Sequence, residues 1–142
     1  MCDSQVGEQF EGHAYSFIHR RLMRNRVVPI VPVFLNTYYA PNQPSPARCI
    51  ELGRIIRVLV DSFPANTRVG ILASGGLSHF LVNEDLDNRV IAAIKAKDFA
   101  ALAALAERLL NTGSSEIRNW MTVAAAVPDM SVDWLTYVPG YR

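Results

Sequence analysis

The sequence predicts an α/β fold: a mostly parallel sheet flanked by helices, forming an incomplete sheet of a larger domain. Three observations lead there. Two β-branched apolar runs, residues 27–36 and 68–74, alternate with segments of helical period, and strands alternating with helices make parallel sheets that helices cover. Both runs empty into turn-rich loops, NTYYAPNQPSP and GGLSH, and open α/β sheets bind ligands at that end of their strands. Only two or three strands are visible, whereas sheets usually have about five or six. The edges of so short a sheet would be apolar and unpaired.

The elements follow in order. Residues 1–10 read as a lead-in, and 11–142 as the domain portion. From His13 to Met23 the pattern places Tyr15, Ile18 and Leu22 near one helical face. Arg20, Arg21, Arg24 and Arg26 make its end basic, which suits a helix C-terminus. The run VVPIVPVFLN reads as a strand buried on both faces. Its two prolines confine the paired portion to about Val31–Leu35. Ser45 is an N-cap with Pro46 at the first helical position. The helix runs to about Phe63, with Leu52, Ile55, Ile56, Leu59 and Phe63 as its apolar stripe. RVGILAS, residues 68–74, is the second buried strand. A helix over Asp85–Lys95 follows, then one capped by Asp98 with Phe99, Leu102, Leu105 and Leu109 inside. Gly113 breaks it, and Ser114 or Ser115 caps a third helix that reaches Val127. Trp134–Val138 reads as a short strand.

Composition narrows the function classes. Half of the 142 residues are hydrophobic and the net charge is +1, which excludes disorder and, with no large single-sign field expected, argues against nucleic acid as a partner. The first ten residues lack the basic start and apolar stretch of a signal peptide. No run approaches the about 20 apolar residues that span a bilayer, so no membrane association is expected. Two cysteines make no disulfide framework, and a reducing, cytoplasmic setting is expected.

His79 is the leading candidate for chemistry. It follows a buried strand and a Gly-Gly turn, whose glycines admit positive φ and close approach to a ligand. Ser78 is not flanked as Gly-x-Ser-x-Gly, so the segment is no nucleophile elbow. His13 and His19, six residues apart, fall about 240° apart on a helix and share no face. Glu116 in a first helical turn complements the macrodipole without any further role. Cys49 reads as a small buried residue, and Trp120 and Trp134 as core.

Four stretches in this order, GHAYSFIHRRLM, VPVFLNTYYAPNQPSPARC, ASGGLSHF and SSEIRNW, together resemble the catalytic subunit of class III extradiol ring-cleavage dioxygenases, of the protocatechuate 4,5-dioxygenase and gallate dioxygenase type. The resemblance implies opening of a catechol-type aromatic acid with O2 beside its two hydroxyls. It implies Fe(II) held by two histidines and a carboxylate, with open positions for ligands. It makes His79 the acid–base histidine, His13 a second active-site histidine and Glu116 the carboxylate ligand of iron, with Asn36 and Ser78 near the substrate pocket. In that family the two iron-binding histidines precede the GHAYSF segment, before which this chain has eleven residues and no histidine. The expectation is therefore the second half of a catalytic subunit, active in a homo- or hetero-oligomer where another chain supplies those imidazoles. Two rival readings are a truncated, non-catalytic subunit that pairs with such a chain, and a small hydrolase using Ser78 and His79.

Overall fold

The computed structural model describes residues 12–24, 26 and 28–141. It divides into two units, residues 1–32 and 33–142; the lead-in expected over residues 1–10 lies outside the described residues.

In the first unit, α1 (His13–Phe17) starts without a side-chain cap and continues into a π-helical turn over Ile18–Leu22. That turn carries Arg20 and Arg21, so the basic end expected from sequence is present. Ile30 and Val31 follow outside any helix or strand and are exposed.

The second unit is built on α2 (Pro46–Asp61), α3 (Glu84–Ala96), α4 (Phe99–Ala103) and α5 (Ile117–Ala126). Local chemistry sets their starts. Ser45 accepts the Arg48 N–H with Pro46 in the first turn, as expected. Asn83 caps α3 by accepting the Leu86 N–H at 3.0 Å. Asp98 caps α4 through the Ala101 N–H at 2.9 Å. The helix foreseen to reach Leu109 stops at Ala103 and gives way to short 3-10 turns at Glu107–Leu109 and Thr112–Ser114. The last helix begins at Ile117, so neither serine is its cap.

The core is Cys49, Ile50, Leu86, Val90, Leu102, Leu110, Ile117 and Met121, with Ala125 beside them. The face of α2 that enters it is Pro46, Cys49, Ile50 and Gly53, not the predicted stripe, of which Ile55, Leu59 and Phe63 are exposed. Gly53 explains the choice. A Cβ there would stand 2.2 Å from the Thr122 carbonyl oxygen and 2.8 Å from the Ala125 Cβ. The two helices touch through their smallest residues, and that closeness decides which face is buried.

The expected parallel sheet is absent: among the described residues none lies in a β-strand. The runs around 31–35, 68–74 and 134–138 lie outside any helix or strand. A parallel strand is held by ladder bonds to a neighbouring strand, and no such ladder forms among the described residues. Several carbonyls and amides at their ends instead bond to side chains of α5, described below. Their apolar side chains stay in solvent: Val31 is 84% exposed, Phe34 79%, and Trp134 81%. Trp134 is thus not the core residue expected, whereas Cys49 is fully buried as expected.

Candidate active site

The start of α5 gathers two loops that are far apart in sequence. Glu116, the residue just before the helix, sends its carboxylate to the Gly76 N–H at 2.8 Å. Asn119 donates to the Ser74 carbonyl at 2.8 Å, and the Trp120 indole donates to the Gly75 carbonyl at 3.0 Å. Three side chains on one helical turn therefore clamp the Ser74–Gly76 backbone. Gly75 has φ +127°, and a Cβ there would lie 2.7 Å from the Glu116 Cβ. Only glycine adopts that backbone and leaves room for the glutamate.

Arg118 points the other way on the same helix. It is buried, and donates from Nε to the Pro44 carbonyl at 2.8 Å and from Nη1 to the Thr37 carbonyl at 3.2 Å. It also donates to the Leu110 carbonyl. Its partners are carbonyl dipoles rather than a carboxylate, and burial pulls its guanidinium below the ordinary range. The 37–44 loop it holds also receives Gln43 Nε2 on the Thr37 and Tyr38 carbonyls, each at 2.9 Å.

His79 is held from several sides. Its backbone N–H donates to the Gly113 carbonyl at 3.1 Å. Gly113 lies so close that a Cβ there would overlap the His79 carbonyl oxygen, at 1.7 Å. The imidazole Nδ1 meets the Leu77 carbonyl at 2.9 Å. A carbonyl only accepts, so Nδ1 carries a proton, and in the neutral ring Nε2 then keeps its lone pair. Phe80 packs edge-on to the imidazole, ring centres 5.0 Å apart, with φ +67°. A bulky residue in that left-handed region is strained, and such strain gathers at functional sites.

The imidazole and the Glu116 carboxylate flank one glycine. A Cβ on Gly76 would lie 3.2 Å from His79 Nδ1 and 4.0 Å from Glu116 Oε2. Beside His79 opens a cleft of about 530 Å³, lined also by Arg108, Asn111, Thr112, Ser114 and Tyr141, and by the acids Glu84 and Asp85.

The other predicted residues fall as follows. Ser78 is buried; its hydroxyl donates to Asp87 Oδ2 at 2.7 Å and accepts the Asn83 N–H at 2.7 Å, with no bond to an imidazole among the described residues. Asn36 closes its own loop, Nδ2 donating to the Tyr39 carbonyl at 2.7 Å and Oδ1 accepting the Tyr39 N–H at 2.9 Å. His13 occupies the first position of α1, in the first unit, and its side chain lies outside the described residues. Asp87, Arg118, Asn119, Trp120 and Tyr137 were not foreseen. Arg118 had a signal: it is the one charge inside the otherwise largely apolar IRNWMTVAAA helix. Asp87 had none, being one of three acids in a first turn.

Residues 20–141 match the family of the catalytic LigB subunit of aromatic ring-opening dioxygenase. The chain belongs to this family. It is also similar to gallate dioxygenase of Pseudomonas putida, 38% identical over 52 residues, which is 37% of this chain and 15% of that protein. No solved structure matches. That family is described as the catalytic subunit of aromatic ring-opening dioxygenases, and the chain spans a small part of the length of the gallate dioxygenase it matches. The residues present do not make a complete iron site: no group of three His, Cys, Asp or Glu side chains converges among the described residues. Glu116 brings its carboxylate to the Gly76 N–H, three residues before His79. No helix among the described residues is long and apolar enough to cross a membrane.

Proposed function

We propose that this chain is part of a non-heme Fe(II)-dependent extradiol dioxygenase that opens the ring of a catechol-type aromatic acid, protocatechuate- or gallate-like. The observation that carries the reading is the pairing of the Glu116 carboxylate and the His79 imidazole around Gly76 in a LigB-family chain. Glu116 is the carboxylate ligand in this reading. In this reading the two imidazole ligands lie outside the described residues, among which no group of three metal-binding side chains converges.

His79 does the acid–base work. With Nδ1–H engaged by Leu77, Nε2 is free to accept the proton of a catechol hydroxyl. Imidazole is the side chain most often used for such positioned proton transfer. Arg108, with the hydroxyl groups of Thr112, Ser114 and Tyr141, provides donors in the cleft for the ring carboxylate.

The test is oxygen uptake and ring-opened product formation with protocatechuate and gallate, in the Fe(II)-loaded assembled enzyme. The expected result is one O2 consumed per ring opened, with His79→Ala slowed about 10²–10⁴-fold, the usual contribution of a positioned acid–base group. Full rate in His79→Ala would sink the base assignment.

A further inference from the structure

Asp87 lies beyond the residues assigned above, yet it connects to His79 through one peptide group. It is 1% exposed and sits in the first turn of α3. Its Oδ1 accepts the Ser78 N–H at 2.9 Å, and its Oδ2 accepts the Ser78 hydroxyl at 2.7 Å and the Tyr137 hydroxyl at 2.8 Å. The Ser78 hydroxyl accepts the Asn83 N–H and gives its own proton to Asp87, so the carboxylate is the acceptor throughout. The Ser78 N–H and the Leu77 carbonyl are the two ends of the same peptide unit. One end is bonded to Asp87, and the other receives the His79 Nδ1–H at 2.9 Å.

We infer that Asp87 is a positioning residue for His79, acting through the Leu77–Ser78 peptide to hold the imidazole as its Nδ1–H tautomer with Nε2 bare. The physical chain has two links. A carboxylate on the N–H end fixes the plane of the peptide, and hence the direction in which the Leu77 carbonyl points. It also polarises the peptide, and hydrogen bonds in series strengthen one another. The carbonyl becomes a better acceptor, and the neutral imidazole places its proton on the nitrogen that faces it. A histidine whose second nitrogen is fixed in this way presents the first in a defined state. The buried carboxylate is itself sustained by three donors and by the N-terminal end of α3. The inference rests on the proposed role of His79 for its functional meaning, but its structural content stands without it.

The test reads the tautomer directly, by ¹⁵N chemical shifts of His79 in the labelled, metal-free full chain at a pH where the ring is neutral. In the wild-type chain the Nδ1–H form should dominate. In Asp87→Asn the ratio of Nδ1–H to Nε2–H should fall about tenfold, because a charge-assisted bond becomes a neutral one of roughly half the strength. The Ser78 amide proton should move upfield in the same variant. Tyr137→Phe removes a bond to the same carboxylate while leaving the Ser78 N–H on Oδ1, so the ratio should stay within about twofold of the wild-type value. A role in stability alone would lower the melting temperature in both variants without separating their tautomer ratios. An Nε2–H form dominant in the wild type, an unchanged ratio in Asp87→Asn, or an equal change in both variants would overturn the inference. Should Asp87→Asn not fold, Asp87→Glu takes its place, keeping the charge but moving it away, with the same fall expected. The measurement needs no ring opening, so an inactive enzyme with the expected tautomer would fault the proposed function and not this inference.

Discussion

At the scale of single residues, the site depends on what glycines leave open. Gly113 is pressed against the His79 carbonyl and has no room for a side chain. Gly113→Ala should therefore push the His79 segment out of place and cost about 1–3 kcal/mol, the usual penalty for overpacking. Urea unfolding together with the His79 ring resonances would check both effects; an unchanged midpoint would show that the contact is looser than described. Tyr137 gives a pH prediction. Burial, followed by its bond to Asp87, pushes its phenol up from 10.0 to about 12. The folded state therefore holds that proton more tightly than the unfolded chain does. The stability this adds is complete below about pH 10 and is lost as pH rises through about 12. The difference in stability between wild type and Tyr137→Phe should be constant below pH 9 and shrink between 10 and 12, measured by urea midpoints. The histidine and glutamate were legible because they sit in the GGLSH and SSEIRNW runs. Asp87 and Tyr137 were not, because their roles arise from long-range contact, 9 and 50 residues away along the chain.

At the scale of elements, α5 is the hub. One face packs on α2, and its first turns bond to loops on either side through Glu116, Arg118, Asn119 and Trp120. Replacing Arg118 by Met keeps the bulk but strands the Pro44 and Leu110 carbonyls, each worth about 1–3 kcal/mol when left unpaired in the interior. Thermal unfolding of Arg118→Met should show a loss of about 2–5 kcal/mol; a loss below 1 kcal/mol would mean that the 37–44 loop is held by Gln43 alone. Gly53→Ala gains helix propensity of about 1 kcal/mol, yet its Cβ meets a backbone carbonyl at 2.2 Å that cannot yield. The net result should be destabilisation. Helix starts at Ser45 and Asp98 were readable from sequence because capping is local chemistry. The buried face of α2 was not, because small residues carry little hydrophobic signal yet permit the closest helix contact. A stripe of large apolar residues points to the wrong side when the partner helix is lined with alanine.

At the scale of the whole molecule, the alternation of apolar runs and helices led to a sheet that the described residues do not form. The reason is that a strand is a relation between segments: sequence shows the β-branched composition but not the neighbour that would complete the ladder. The same runs now expose Val31, Phe34 and Trp134 to solvent, as does Leu81 in the loop after His79, and exposed apolar side chains of this kind favour association. Sedimentation velocity should find an assembly larger than 15.8 kDa; a monomer at every concentration would count against an oligomeric enzyme. The claim on which the rest depends is that Glu116 is a ligand of catalytic iron. An anaerobic Fe(II) titration of the protein in its purified assembly, with Glu116→Ala and His79→Ala beside it, addresses this most directly. The account predicts one specific iron per chain, retained in His79→Ala and weakened at least about tenfold in Glu116→Ala, the usual cost of disturbing a metal's immediate support. An identical binding curve for wild type and Glu116→Ala would contradict it and leave Glu116 as nothing more than a clamp on the Gly76 backbone.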